Sequence, residues 1–419
     1  MTKSGQWTLA PTGKTPWAVA VRGIAAGGRR IEAELELTPP EPVAETERIE
    51  AIPPFNPQGS WNAGARPTAL RAYECSLFGA LIPESVSATA DDGAPLVRGT
   101  DYEVEPDSGA VGRLAGGRLK EGDALIISYV YVPYRLDAVL LSPDGAVCRK
   151  PGSVNGATPL PPAPGPGETV IANINFSGRP AKLSEAMIFP VTDEPLPAQD
   201  HAAEAEALLP RTLAKLRAGE RLRYLAWGDS VTAALYLPEH ERWPFRFAAH
   251  LRARFPRAAV DYVNMGWGGR NTRSFFAEPP GSRWHYGEKV LGARADLVTV
   301  EFVNDAGLPE QELAANYGRI LADARAAGTE LILMTPHYVR PDWMGMAGEK
   351  NCDEDPRSYV RFLRAFARDN KVALADASRF YGHLWREGIP YNTLMTNAIN
   401  HPDIRGMDIF MKSLCEWIP

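Results

Sequence analysis

The apolar run 222–227 ends in Gly228-Asp229-Ser230-Val231-Thr232. A serine on the turn between a strand and a helix stands clear of the ladder, and the amide dipoles of that helix favour negative charge beside it. Gly228 allows a tight turn, and Asp229 can brace it through hydrogen bonds to backbone amides. Taken alone, Ser230 is more simply a helix N-cap. To act as a nucleophile its hydroxyl needs a base, and attack on a carbonyl leaves an oxyanion that needs donors. His401, in Asn397-Ala398-Ile399-Asn400-His401-Pro402, has the chemistry of that base. Pro402 keeps it in extended, loop-like backbone, which would equally suit a solvated surface histidine.

Donors for an oxyanion can come from two further segments. The run 259–264 leads into Asn264-Met265-Gly266-Trp267-Gly268-Gly269-Arg270, where three glycines allow close backbone approach to a substrate and one of them can offer its N–H. An ordinary glycine-rich turn would look the same. The run 297–303 leads into Asn304-Asp305, and an Asn at a strand end can donate its side-chain amide or simply shape a turn. The glycines lack G-x-G-x-x-G spacing and no P-loop lysine follows, so a nucleotide site is not indicated. His240, His250 and His285 read as surface or packing residues. No close metal-ligand spacing is present, and no metal or other cofactor is expected.

The elements that would position these residues alternate along the second half of the chain. Candidate strands are 222–227, 259–264, 297–303, 330–335 and 371–375. Residues 202–218 read as a helix that Pro210 kinks or divides. In 309–327, Leu313, Tyr317, Ile320, Leu321 and Ala324 share one face, with Gly328 as a stop. In 357–369, Tyr359, Phe362, Leu363 and Phe366 do the same, and a last helix covers about 403–417. Five apolar strands alternating with helices predict a parallel sheet covered on both faces, an α/β domain of three layers, with ligands beyond the C-terminal strand ends. Residues 1–200 differ. They carry β-type runs at 124–132, 135–141 and 168–176, with turn signals at 91–93, 107–109 and 143–145, which predicts an all-β, sandwich-like domain. The proline-rich stretch 159–167 reads as an exposed loop. The expected division is 1–200 and 201–419.

Length and composition agree with two domains. The chain has 419 residues, 45% hydrophobic and 23% charged, with a net charge of −6. Nothing marks a nucleic-acid or membrane-surface binder, and no run reaches the roughly 20 apolar residues that span a bilayer. The N-terminus shows no signal peptide, so a cytoplasmic protein is expected, with secretion left open. Cys75, Cys148, Cys352 and Cys415 lie far apart without a C-x-x-C pair. Free thiols are the simpler expectation, a Cys75–Cys148 disulfide the alternative.

The four chemical segments occur in one order, each at a strand end or on the final loop. In this the sequence resembles the SGNH hydrolase superfamily of GDSL esterases and lipases. That family carries a Gly-Asp-Ser block, a later Gly, an Asn in a Gly-x-Asn-Asp-like block and a C-terminal His often followed by Pro. The resemblance covers about residues 220–419 and implies an SGNH-type αβα domain. It further implies Ser230 as nucleophile, His401 as base, and the Ser230 N–H, the Gly269 N–H and the Asn304 side chain as oxyanion donors. Gly269 is preferred over Gly266 and Gly268 because it stands five residues after Asn264, as in the family block.

Two departures matter. The third block reads Phe302-Val303-Asn304-Asp305, without the family's glycine. The family acid normally stands three residues before the histidine, where this chain has Ala398. The implied site is then a Ser–His pair, with His401 oriented by a backbone carbonyl or by a carboxylate from elsewhere; Asp403 and Asp305 are the nearby candidates. Trp267, Tyr338 and Trp343 are candidate substrate-stacking residues, the last two on an irregular stretch, 337–356, that suits a lid, though loop packing explains them as well. The expected activity is ester hydrolysis, in first place removal of acetyl groups from a carbohydrate, because some two-domain carbohydrate esterases of the superfamily carry a β-sandwich. The alternatives are a general carboxylesterase or lipase and an inactive binding protein of the same fold. The oligomeric state is left open.

Overall fold

A computed structural model describes residues 7–25, 28–350 and 352–419. Residues 1–6, where the N-terminal stretch read for a signal peptide begins, lie outside them. The chain forms two compact units. One comprises Met1–Pro195, Gly348–Lys350 and Leu384–Asn400, the other Leu196–Ala347, Asn351–His383 and His401–Pro419.

The first unit is built of short antiparallel strands. One sheet joins Thr8–Pro11, Ala18–Ile24 and Arg30–Glu36. A second orders Val43–Ile49, Leu125–Tyr131, Leu81–Ala90 and Pro95–Leu96, and a third Val147–Lys150, Arg135–Leu141, Thr169–Phe176 and Ile188–Pro190. Gly93, Gly109 and Gly145, at the three turn signals, all take positive φ. The first and third sheets share one apolar cluster, in which Val19 and Val21 meet Val139, Ile171 and Ile174. Residues 157–167 run without helix or strand. Among the described residues none of the four cysteines forms a disulfide.

The second unit is the predicted parallel sheet between helices. Its strands are β1 (Arg221–Gly228), β2 (Ala259–Gly266), β3 (Leu297–Glu301), β4 (Glu330–Met334) and β5 (Ala373–Ala375), in the order β2-β1-β3-β4-β5. All four pairings are parallel. Every residue of β3 and β4 is buried, which explains their unbroken apolar runs. The strand order reverses between β1 and β3, the switch point where the C-terminal strand ends of such sheets open a crevice.

Local sequence sets the helix limits. Pro210 divides the first helical stretch into α1 (Ala202–Leu208) and α2 (Pro210–Ala218), because a proline without an N–H is tolerated only in the first turn. A four-residue α3 (Ser230–Ala233) follows β1, and α4 (Trp243–Arg254) and α5 (Thr272–Ala277) follow in turn. The long α6 (Glu310–Ala327) buries Leu313, Tyr317, Ile320, Leu321 and Ala324, and ends at Gly328 with φ of 73°. Next come α7 (Ser358–Asn370), α8 (Ala377–His383) and α9 (Ile404–Cys415). Trp227 at the end of β1 meets Phe275 and Phe302 edge-on at 5.4 and 5.2 Å, packing the sheet directly behind the serine turn. No helix among the described residues is long and apolar enough to cross a membrane.

Candidate active site

The turn after β1 is fixed from both sides by buried carboxylates. Asp229 caps α3: one carboxylate oxygen accepts the Val231 N–H at 3.0 Å and the other the Asn304 N–H at 3.0 Å. One side chain therefore ties the serine turn to the segment that follows β3. Thr232 donates its hydroxyl to Glu301 Oε2 at 2.9 Å. Gly228 is required here, since a Cβ would lie 2.1 Å from both the Glu301 carbonyl oxygen and Thr232 Oγ1.

Glu301 is fully buried, and its Oε1 has no hydrogen-bond partner among the described residues. Burial and then the nearby Asp229 charge hold its pKa well above the usual value. Burial also raises Asp229, to about 7, against the backbone N–H donors of Val231, Asn304 and Val303, which favour its ionised form.

The segment after β2 wraps the same turn. Asn264 donates to the Thr232 carbonyl at 2.9 Å and accepts the Gly266 N–H at 2.9 Å, while the Trp267 N–H reaches the Gly228 carbonyl at 2.9 Å. The Arg270 N–H closes a turn onto the Trp267 carbonyl, with Gly269 at φ of 69°, a conformation that glycine adopts without strain. A Cβ on Gly268 would lie 3.8 Å from Ser230 Cβ, so this loop runs beside the serine. Asn304 Nδ2 donates to the Arg270 carbonyl at 3.1 Å. One amide hydrogen is thereby used, and the second remains for a substrate oxygen.

His401 is 7% exposed, and its Nε2 lies 3.0 Å from Ser230 Oγ. Burial lowers its pKa to about 4, so near neutral pH the ring is uncharged and able to accept a proton. Its face lies on the ring of Tyr236, with centroids 4.5 Å apart and planes 5° from parallel.

The two candidate orienting acids are engaged elsewhere. Asp403 caps α9 through the N–H groups of Arg405 and Gly406 and pairs with the Arg405 guanidinium at 2.8 Å. Asp305 accepts the Thr272 N–H, the Thr272 hydroxyl and the Tyr317 hydroxyl at 2.9, 3.1 and 3.0 Å, and burial pushes its pKa up to about 7. Ala398 belongs to the first unit, where its side chain is buried in the apolar cluster with Ile52, Leu70 and Leu125.

The aromatic candidates differ among themselves. Tyr338 is 1% exposed and stacks on Tyr381 at 5.9 Å, so it packs the loop and offers no face to a ligand. Trp343 is 47% exposed on the loop after β4, at the same end of the sheet as Ser230. Trp267 is half-buried between Trp284, stacked at 5.0 Å, and the Arg270 guanidinium at 4.9 Å.

Sequence reasoning missed Glu301 and Tyr236. A charged residue closing an otherwise apolar run was a readable anomaly for the first. Nothing in the spacing links Tyr236 to a histidine 165 positions later.

Residues 226–409 match the family described as GDSL-like Lipase/Acylhydrolase. No curated protein matches the chain. Among solved structures, it is similar to a two-domain esterase active on acetylated mannans, at 16% identity and a TM-score of 0.42, covering 51% of this chain and 52% of that one. The chain thus spans about half the length of that esterase. It is also similar to an acetyl xylan esterase from Geobacillus stearothermophilus (19% identity, TM-score 0.38, covering 47% and 94%). A lipolytic G-D-S-L family protein from Veillonella parvula gives 16% identity and a TM-score of 0.35, covering 46% and 96%.

Proposed function

We propose that residues 226–409, which match the GDSL-like lipase/acylhydrolase family, hydrolyse carboxylic esters through an acyl-enzyme on Ser230. The observation that carries this is the 3.0 Å contact between Ser230 Oγ and the uncharged His401 Nε2. His401 takes the hydroxyl proton as Ser230 Oγ attacks the ester carbonyl. The oxyanion is met by the N–H groups of Ser230 and Gly269 and by the Asn304 amide. His401 returns the proton to the leaving alkoxide. Water then attacks the acyl group with His401 again as base, which frees the carboxylic acid and Ser230.

Within that class the proposed substrate is an acetylated carbohydrate. The exposed Trp343 at the catalytic end of the sheet supports this, since an aromatic face suits the apolar face of a sugar ring. The antiparallel unit joined to the hydrolase unit is the second support.

Hydrolysis of p-nitrophenyl acetate, butyrate and octanoate by the wild type and Ser230→Ala tests the assignment. Turnover is expected on acetate and lost in the variant. Rates that rise with chain length would move the substrate to lipid esters. Equal rates in the variant would remove Ser230 as nucleophile.

A further inference from the structure

We propose that Tyr236 is a positioning residue for His401, its ring fixing the plane of the imidazole and stabilising the imidazolium that forms as the serine proton is transferred. The inference rests on Ser230 and His401 being the reacting pair.

The local chain brings Tyr236 there. Ala234 adopts a left-handed φ of 44°, its N–H bonds the Ser230 carbonyl at 2.8 Å, and the Leu237 N–H bonds the Ala234 carbonyl at 3.0 Å. Two consecutive turns thus fold residues 230–237 back beside the nucleophile. Leu235 projects outward, 77% exposed, while Tyr236 is half-buried against the histidine.

Two contacts bear on the ring of His401. The bond from Nε2 to Ser230 sets the direction in which it points, and the nearly parallel stack on Tyr236 sets its plane. A carboxylate behind an imidazole supplies the same two things, orientation and compensation of the charge that develops. The π-face of a phenol offers the second through its quadrupole, more strongly for the protonated ring than for the neutral one. The contact therefore gains strength as the reaction proceeds, which is the condition for accelerating it.

The test is steady-state hydrolysis of p-nitrophenyl acetate by wild type, Tyr236→Leu, Tyr236→Phe, Ser230→Ala and His401→Ala, each shown folded by circular dichroism. Loss of the ring is expected to lower kcat about tenfold or more with KM held within about twofold, whereas Tyr236→Phe stays within about threefold of wild-type kcat. Tyr236→Gln takes the place of the leucine variant if that one does not fold. A ring-less variant with wild-type kcat, or a phenylalanine variant as slow as the ring-less one, would overturn the proposal while leaving the Ser–His assignment intact. Full activity in Ser230→Ala or His401→Ala would overturn both.

Discussion

On its sheet side Ser230 is held by hydrogen bonds to buried groups: Asp229 to Val231 and Asn304, Thr232 to Glu301, Asn264 to Thr232 and Gly266. On its other side the imidazole of His401 meets Ser230 Oγ and lies on the face of Tyr236. Directional bonds fix the side of the proposed oxyanion site, and ring stacking bears on the side of the proposed base. An oxyanion donor must be within a few tenths of an ångström of its target before the reaction starts, which bonds enforce. A base must accept a charge and then give it up, which a polarisable face allows without trapping the proton.

The sharpest way to break this contrast is on the sheet side. Asn304→Ala removes the proposed oxyanion donor and is expected to lower kcat by about 100- to 1,000-fold with little change in melting temperature. A loss confined to KM would mean that Asn304 only binds substrate. The ring-removing variants of Tyr236 come next, with their expected loss of about tenfold. The smallest effect concerns the acid behind the serine. Glu301 has a pKa raised above its ordinary 4.5, so the native state keeps a proton that the unfolded chain releases. Its contribution to stability is therefore present below that ordinary value and is lost as pH rises towards the native pKa. Glu301→Gln should flatten the fall in unfolding free energy, read from urea titrations, as pH rises above about 5, by at most about 1.4 kcal/mol per pH unit. Parallel slopes for the two proteins would mean that Glu301 is ionised in the native state.

The same contrast separates what was legible in the sequence. The strands and helices of the second unit follow periodicity and punctuation, so Pro210, Gly328 and the apolar runs locate them within a few residues. The run 297–303 stops being strand at Glu301, because Val303–Gly307 turns into a 3-10 segment that carries Asn304 and Asp305. The serine turn was legible because its residues are contiguous: Gly228 for close approach, Asp229 for the cap. Asp229 reaching across to the Asn304 N–H was not, since cross-strand partners depend on strand order. The surroundings of His401 were least legible. The position three residues earlier reads as a missing acid, but the structure explains it as packing, since Ala398 fills an apolar cluster of the first unit. The Tyr236 contact arises from a left-handed alanine, a conformation that sequence does not announce.

Labelling with a fluorophosphonate, followed by intact-mass and peptide mass spectrometry, tests the central claim most directly, because it asks which serine is activated whatever the natural ester is. One phosphonyl adduct on Ser230 is expected, absent in Ser230→Ala and formed at least about 100-fold more slowly in His401→Ala. An adduct on another serine, or labelling of Ser230 at an undiminished rate without His401, would contradict the account.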